Sequence, residues 1–595
     1  MTMRIEDPES GSAQGRQQQL QQEPAQEAQH APWSRTAIPR WAEDIPVPEF
    51  LALREGNVAV IVVAPHGGRR MRPIRPGDSV NDLHTAAIAW ELAERLDAHA
   101  IVNHALDRND IDLNRIEHLT TRAPEFLSLL LSSIGHASRS GLVPIVVFVH
   151  GWNMVTSCCD IGIGLRRPAG RLTGRFPTLS RTRLETTIAG IERELSARGL
   201  SADIGRRYAA SGRDNAAQLF SGRHSASENP VVAELGMLSA AGRVDAAQLE
   251  LGISLRWPGP LRDALIDGLV AALGAASPAL PREPDATPPP EPGASLPSEA
   301  KADDAMARDA KTRVEKAAVR SGWDLPATAG DEHPDGLEPG YSLQAVLDPD
   351  GNVATFCGVE ATGPHSMVVR FSLVSTDGSM MLLVAEGSWT GARGRYELDG
   401  FSWHAGDGGT RMTIRVRAPV IRYRTHEAYL DLERGLSGSE LAYGDIDLVF
   451  EATSGEHGTL RGTVRAGDID LVVETVAFFD RGSRRSEPPR ERLRILVATS
   501  AQEVTIARSD ERTDMLELDR DHAAFGTIRA RVPELPFREA EIVARVPVWR
   551  PLGQGQASRW TFGIVRCRFQ DDNGETREHA GLFDSLEIFS RRLPS

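Results

Sequence analysis

Two histidines stand at matching places in the chain. His66 follows the apolar run of VAVIVVAPHGG (residues 58–68), and His150 follows that of LVPIVVFVHGWN (142–153). A neutral imidazole is the commonest protein nitrogen ligand for zinc, so two of them delivered to one place would begin a metal site. If they share one tetrahedral ion, their rings must come within about 7 Å of each other. The competing assignment for each is a satisfied core or loop histidine. A third candidate, Glu250, lies in QLELGISL (248–255). In a strand, Gln248, Glu250 and Gly252 would share one face, with Leu249, Leu251 and Ile253 on the other. A carboxylate buried in an apolar strand is costly unless it is paired or functional. An ion pair with an arginine such as Arg256 is the alternative to a working role.

The elements that would position these groups follow from their flanks. Continuous apolar runs rich in Val and Ile read as buried strands of a parallel sheet. Pro65, Gly67 and Gly68 end the first run, which puts His66 at the carboxyl end of a central strand. That is where open α/β sheets hold their ligands. Between the two histidine strands, helical spacing predicts helices over 81–97 and 124–136, with a short strand over 99–103. After His150 come a Gly- and Arg-rich loop (162–180), a helix over 181–198, a strand or connection over 202–208, the Glu250 strand and a closing helix over 260–273. Alternation of this kind predicts a three-layer α/β fold with a mainly parallel sheet.

The rest of the chain has a different texture. Residues 1–30 are rich in Gln, Glu and Ala and read as a disordered tail. Residues 31–56 carry Trp33, Trp41 and Phe50 among prolines and read as an irregular arm on the α/β domain, which spans 31–275. Residues 276–339 form a Pro-rich linker, with a short charged helix over 302–321. From 340 to 595, stretches such as MVVRFSLV, RMTIRVRA and DIDLVVETVAFF alternate apolar and polar residues between Gly, Asp and Ser turns. This is an all-β domain, one sandwich or barrel or two subdomains. GTLRGTVRAGDIDLVVE predicts a hairpin turning at 466–468. Trp389, Trp403, Trp549 and Trp560 read as core.

The totals exclude several classes of function. A net charge of −15 over 595 residues argues against nucleic-acid binding. Four scattered cysteines make no disulfide framework or zinc finger. No stretch approaches the roughly 18 apolar residues of a membrane helix, and no apolar signal segment opens the sequence. A cytoplasmic protein without membrane insertion is expected. CCDIGIG (158–164) lacks both the GxGxxG spacing and the Lys-Ser/Thr of nucleotide loops.

Five pieces occur in one order: APHGG at 64–68, Asp82 with Thr85 opening a helix, RNDIDLNR at 108–115, the strand ending in His150, and QLELGISLR at 248–256. In this the stretch from about 55 to 275 resembles the N-formylglutamate amidohydrolase family. These are zinc-dependent amide hydrolases related in fold to carboxypeptidases and aspartoacylases. The resemblance implies a Zn2+ ion held by His66, Asp82 and His150, with a fourth position for water. It implies Glu250 as the general acid/base, its pKa raised by burial. It implies that Arg108, Asn114 and Arg115 hold the carboxylate of a small substrate, an N-acyl amino acid or a glutamyl compound, since a guanidinium matches a carboxylate bidentately. Tyr208, Arg213, Asn215 and His224 fall where the family has further substrate contacts. Arg69 stands where the carboxypeptidase pattern would put a Glu. On the residues alone, Asp82 can equally cap a helix, Asp78 or His84 can supply the third ligand, and Asp110 and Asp112 can pair with the arginines beside them. Arg69, Arg70, Arg72 and Arg75 read as a solvated loop.

In the β domain, RGTVRAGDIDLVVETVAFFDRGSRR (461–485) is similar to lipocalin-like domains related to hydroxyneurosporene synthase and tocopherol cyclase. That likeness implies a place for an apolar ligand. The other roles open to this domain are binding a protein partner and, with a degenerate α/β scaffold, serving as a non-catalytic ligand-binding protein.

Overall fold

The computed structural model of the chain describes residues 37–70, 79–276 and 341–590 apart from short internal stretches, the longest being 424–435 and 482–491. The expected tail, the linker beyond its first residue, its charged helix, Trp33, Asp78, Arg72 and Arg75 lie outside the described residues.

The α/β region is built on a seven-stranded sheet of order β1-β3-β2-β4-β7-β5-β6. Its strands are β1 (Leu51–Arg54), β2 (Val60–Ala64), β3 (His99–Asn103), β4 (Ile145–Gly151), β5 (Cys158–Gly162), β6 (Ser201–Ile204) and β7 (Asp245–Leu251). The four central strands β3, β2, β4 and β7 run parallel. The mainly parallel expectation gives way at both edges. β1 is antiparallel to β3, and β5, itself parallel to β6, is antiparallel to β7, so the sheet is mixed.

Alternation explains why β2 is apolar throughout. Val60 and Val62 enter one core, Ile61 and Val63 the other, and all four are fully buried. Helices α1 (Thr85–Leu96), α3 (Ala189–Ser196) and α5 (Pro260–Ala276) cover the first face. Helices α2 (Pro124–Ala137) and α4 (Pro230–Ala240) cover the second. From β2 the chain passes through α1 to β3 on one side, then returns through α2 to β4 on the other. The carboxyl ends of β2 and β4 therefore face a topological switch point, where the crossovers diverge, the place at which open α/β sheets hold their ligands.

The β region holds two antiparallel sheets. Strands β8 (Tyr341–Val346), β9 (Val353–Gly363), β10 (Ser366–Ser375), β11 (Met380–Ser388), β14 (Arg411–Tyr423), β15 (Glu440–Ser454), β16 (His457–Ala466) and β17 (Ile469–Arg481) close into an eight-stranded barrel through the β11–β14 pairing. The hairpin β12 (Arg395–Leu398) and β13 (Phe401–Ala405) extends β14. Along β14, Met412, Ile414, Val416 and Val420 are buried while Arg411, Arg415 and Arg417 face out. β16 and β17 turn at Gly467 and Asp468, where Gly467 takes φ +58°. The second sheet contains β18 (Arg492–Val497), β19 (Gln502–Ala507), β20 (Leu516–Leu518), β21 (Gly526–Ala530), β22 (Glu539–Gly553), β23 (Gln556–Gln570) and β24 (Thr576–Ser590), in the order β19-β18-β24-β23-β22-β21-β20. Trp403 is in the core, as read; the side chains of Trp389, Trp549 and Trp560 lie outside the described residues. No helix among the described residues is long and apolar enough to cross a membrane.

Candidate metal centre

Three adjacent parallel strands, β2, β4 and β7, deliver the three groups singled out by residue type. His66 lies two residues past β2, while His150 and Glu250 face each other in register at the ends of β4 and β7. Neighbouring strands are about 4.8 Å apart, so side chains from successive strand ends fall within reach of one another. The glycines after His66 let the turn pass close to other backbone. A Cβ on Gly67 would stand 2.7 Å from the Asn103 carbonyl oxygen, and one on Gly68 only 1.9 Å from that of Leu106.

The imidazoles of His66 and His150 meet edge to face, centroids 4.8 Å apart. Asp82, from the β2–α1 loop, lies between them. Its Oδ2 is 3.3 Å from His66 Nδ1 and 3.1 Å from His150 Nδ1, and accepts the Gly151 N–H at 3.1 Å. Ligand atoms of His66, Asp82 and His150 all lie within 4.8 Å of one another, and all three residues are buried. This cluster can hold a metal ion. Asp82 does not cap α1. The helix begins at Thr85, and the Asp82 carbonyl, not its carboxylate, accepts from Thr85 Oγ1. His84 turns away with φ 68° and packs its ring on Trp257, centroids 4.7 Å apart.

Electrostatics suit a cation. His66 Nε2 is 2.6 Å from Asp112 Oδ1, the carboxylate behind an imidazole that orients metal-ligating histidines. Burial and Arg108 oppose a charge on His66, but Asp82 and Asp112 outweigh them and raise its pKa. Burial opposes the charge on Asp82 and Asp112, but Arg108, His66 and His150 around Asp82, and His66 and Arg108 around Asp112, hold both well below the usual carboxylate range. Burial keeps His150 neutral, its pKa lowered to about 4. His150 Nε2 is buried without a hydrogen-bond partner among the described residues. Two imidazoles, one of them held neutral, and a carboxylate form a donor set that zinc accepts.

Glu250 is the fourth member. Burial first, and repulsion from Asp82 second, push its pKa up to about 7. Its Oε1 accepts from Gln248 Nε2 at 2.6 Å, and Gln248 Oε1 in turn accepts from Asn215 Nδ2 at 3.1 Å. The shared face of Gln248 and Glu250 was legible in the sequence. The Asn215 link, which gives that expected contact residue a positioning role, was not. Arg256 is fully buried and donates to the carbonyls of Leu83 and Trp152 at 2.8 and 3.0 Å.

The anion-binding expectations divide. Arg108 joins the centre, with Nη1 3.0 Å from Asp82 Oδ1. Asn114 adjoins it through its N–H to Asp112 Oδ1 at 2.9 Å, and its own Oδ1 is buried without a hydrogen-bond partner among the described residues. Arg115 is half exposed and pairs with Asp214 at 2.7 Å and Glu117 at 3.4 Å. Tyr208 is mostly buried beside Trp152, within electrostatic range of Glu250 and Asp82. The Arg213 carbonyl accepts from His224 Nε2 at 3.0 Å. Arg70 departs from the solvated-loop expectation, its side chain buried 3.9 Å from Asp107. Asp160 in CCDIGIG is a structural acceptor for the N–H groups of Arg206, Arg207 and Tyr208. Asp112 is the residue that sequence reasoning misplaced. Its signal was present, since a ligand histidine calls for a carboxylate on its far nitrogen.

The fold and site together define a class: a mixed α/β sheet whose switch point carries a buried His–Asp–His cluster with a raised-pKa glutamate beside it. No family model matches the sequence, and no curated protein matches it.

Proposed function

We propose that the chain is a zinc-dependent hydrolase that cleaves the amide bond of an N-acyl amino acid or glutamyl-type substrate, in the manner of N-formylglutamate amidohydrolases. The observation that carries this reading is the cluster of His66, Asp82 and His150 beside Glu250, whose pKa is raised to about 7. His66, Asp82 and His150 would hold the ion, and Asp112 keeps His66 Nε2 engaged so that Nδ1 faces it. A zinc ion there supplies Lewis acidity toward a carbonyl and toward water near neutral pH. Glu250, with Oε1 fixed by Gln248, takes a proton from water at Oε2 and returns it to the leaving amide nitrogen. A pKa near the working pH suits both transfers. Arg108, whose Nη1 is engaged by Asp82, offers Nη2 to the substrate's carboxylate, with Asn114 beside it. The guanidinium of Arg115 is committed to Asp214 and Glu117, so the weight of anion binding falls on Arg108.

A second reading places an apolar molecule in the closed barrel. It draws on the eight-stranded closure, but Phe371 and Phe450 of the barrel strands and Trp403 of the adjoining hairpin are packed in one buried apolar cluster. The test of the leading reading is hydrolysis of N-formyl-L-glutamate and N-acetyl-L-glutamate by the zinc-loaded protein, lost on chelation and restored by zinc. Zinc-loaded protein that leaves N-acyl amino acids and glutamyl amides intact contradicts it.

A further inference from the structure

The loops that carry the centre are the same loops on which the barrel sits. Past His150, Val155 is buried in the barrel's core cluster, and its N–H donates to the Val384 carbonyl of β11 at 2.6 Å. Past Glu250, Ile253 and Trp257 are buried in that same cluster. The Trp257 indole N–H is shared between the Ser439 carbonyl at 3.1 Å and the Ser439 Oγ at 3.0 Å. Ser439 is set for this by its own bond, its hydroxyl donating to the Leu436 carbonyl at 2.7 Å. Flanking Asp82, Val80 and Leu83 pack against the cluster as well.

One buried side chain joins these loops to each other. The Arg256 guanidinium holds the carbonyl of Leu83, next to Asp82, and that of Trp152, two residues past His150. It lies so close over Gly151 that a Cβ there would stand 2.6 Å from its Cζ. Arg256 itself follows Glu250 by six residues and precedes Trp257. The path from the centre to the barrel is therefore short: Asp82 and His150 loops, Arg256, Trp257, Ser439.

We infer that the barrel is a working part of the metal centre, with Trp257 and Ser439 as positioning residues that fix the Asp82, His150 and Glu250 loops through Arg256. This rests on the metal-centre reading and adds to it a role for the β region. The second domain then does more than dock the enzyme to a partner.

The test is Co2+ binding by the full-length protein, read as affinity and as the visible spectrum, which reports ligand geometry. Trp257→Phe keeps the ring and removes the N–H, Ser439→Ala removes one acceptor, and Ser439→Thr retains both. Losing a hydrogen bond that holds the loops should weaken Co2+ binding about fivefold in Trp257→Phe. Its spectrum should shift, Ser439→Ala should fall between it and wild type, and Ser439→Thr should match wild type. Arg461→Ala, which breaks an exposed pair with Glu474 on the barrel's outer face, should change neither readout. Should Trp257→Phe fail to fold, Ser439→Ala decides the question by the same two readouts. Wild-type affinity and spectrum in the folded Trp257 or Ser439→Ala variant overturn the inference and leave the metal centre standing. No Co2+ uptake by wild type overturns the metal centre and the inference with it.

Discussion

The carboxyl end of the α/β sheet and the core of the barrel both bury side chains, but side chains of opposite chemistry. At the sheet end His66, Asp82, His150, Glu250 and Arg256 are all buried, although charged groups carry a heavy desolvation cost. Among the described residues of the barrel the buried polar side chains are few, and two of them, Thr355 and Ser372, donate to backbone carbonyls of the neighbouring strand. Among the described residues its core cluster holds Phe371, Phe450 and aliphatic residues of the barrel strands, with Trp403 and Phe401 of the β12–β13 hairpin packed against them. The barrel is packed as folding alone would require, whereas the sheet end keeps a cluster that folding alone would disfavour. The difference places the candidate metal centre in the α/β region.

The largest effect that can break this comparison is on turnover. Glu250→Gln should lower the rate by roughly 10²–10⁴-fold while leaving metal content at the wild-type level. A Gln variant with undiminished rate would reduce Glu250 to a buried structural acid. Next, the barrel should respond as a core. Trp403→Ala should cost about 3–5 kcal/mol of stability by denaturant titration, with the folded fraction still binding metal.

How far the sequence alone revealed this contrast depends on whether the signal was local. Strand ends carrying His66, His150 and Glu250 could be read because apolar runs, Pro and Gly are local features. The β1 strand could not, since Leu51–Arg54 is four residues inside a Pro- and Trp-rich arm, and its pairing partner β3 lies far along the chain. β5 was hidden in a glycine-rich stretch and runs against β7, which no local pattern specifies. Barrel closure depends on the β11–β14 pairing, again a long-range choice. The helix expected from Asn81 starts at Thr85 because Asn81 and Asp82 are used in the site. Asn81 bonds Asp107 and Arg108, and Asp82 enters the cluster. Asp112 was read as a partner for arginine because sequence neighbours are visible and the distant His66 is not.

The next effect sharpens the contrast through pH. Glu250 has a folded pKa of about 7, above the ordinary 4.5, so the folded metal-free protein binds its proton more tightly than the unfolded chain does. That contribution to stability is complete below pH 4.5 and is lost as pH rises through about 7. Relative to wild type, metal-free Glu250→Gln should therefore gain stability over that interval, up to roughly 3 kcal/mol above pH 7, by denaturant titration. A constant difference between the two proteins from pH 4 to 8 would contradict the burial argument. The smallest effect concerns the group behind the ligand. Asp112→Asn should weaken zinc binding by about 10–100-fold while the fold is retained. Unchanged affinity would place Asp112 outside the centre.

The most direct test is the zinc content of purified full-length protein, by elemental analysis, beside the double variant His66→Ala, His150→Ala. The account predicts one equivalent of zinc per wild-type chain and none in the folded double variant. One equivalent retained without those two imidazoles would contradict it.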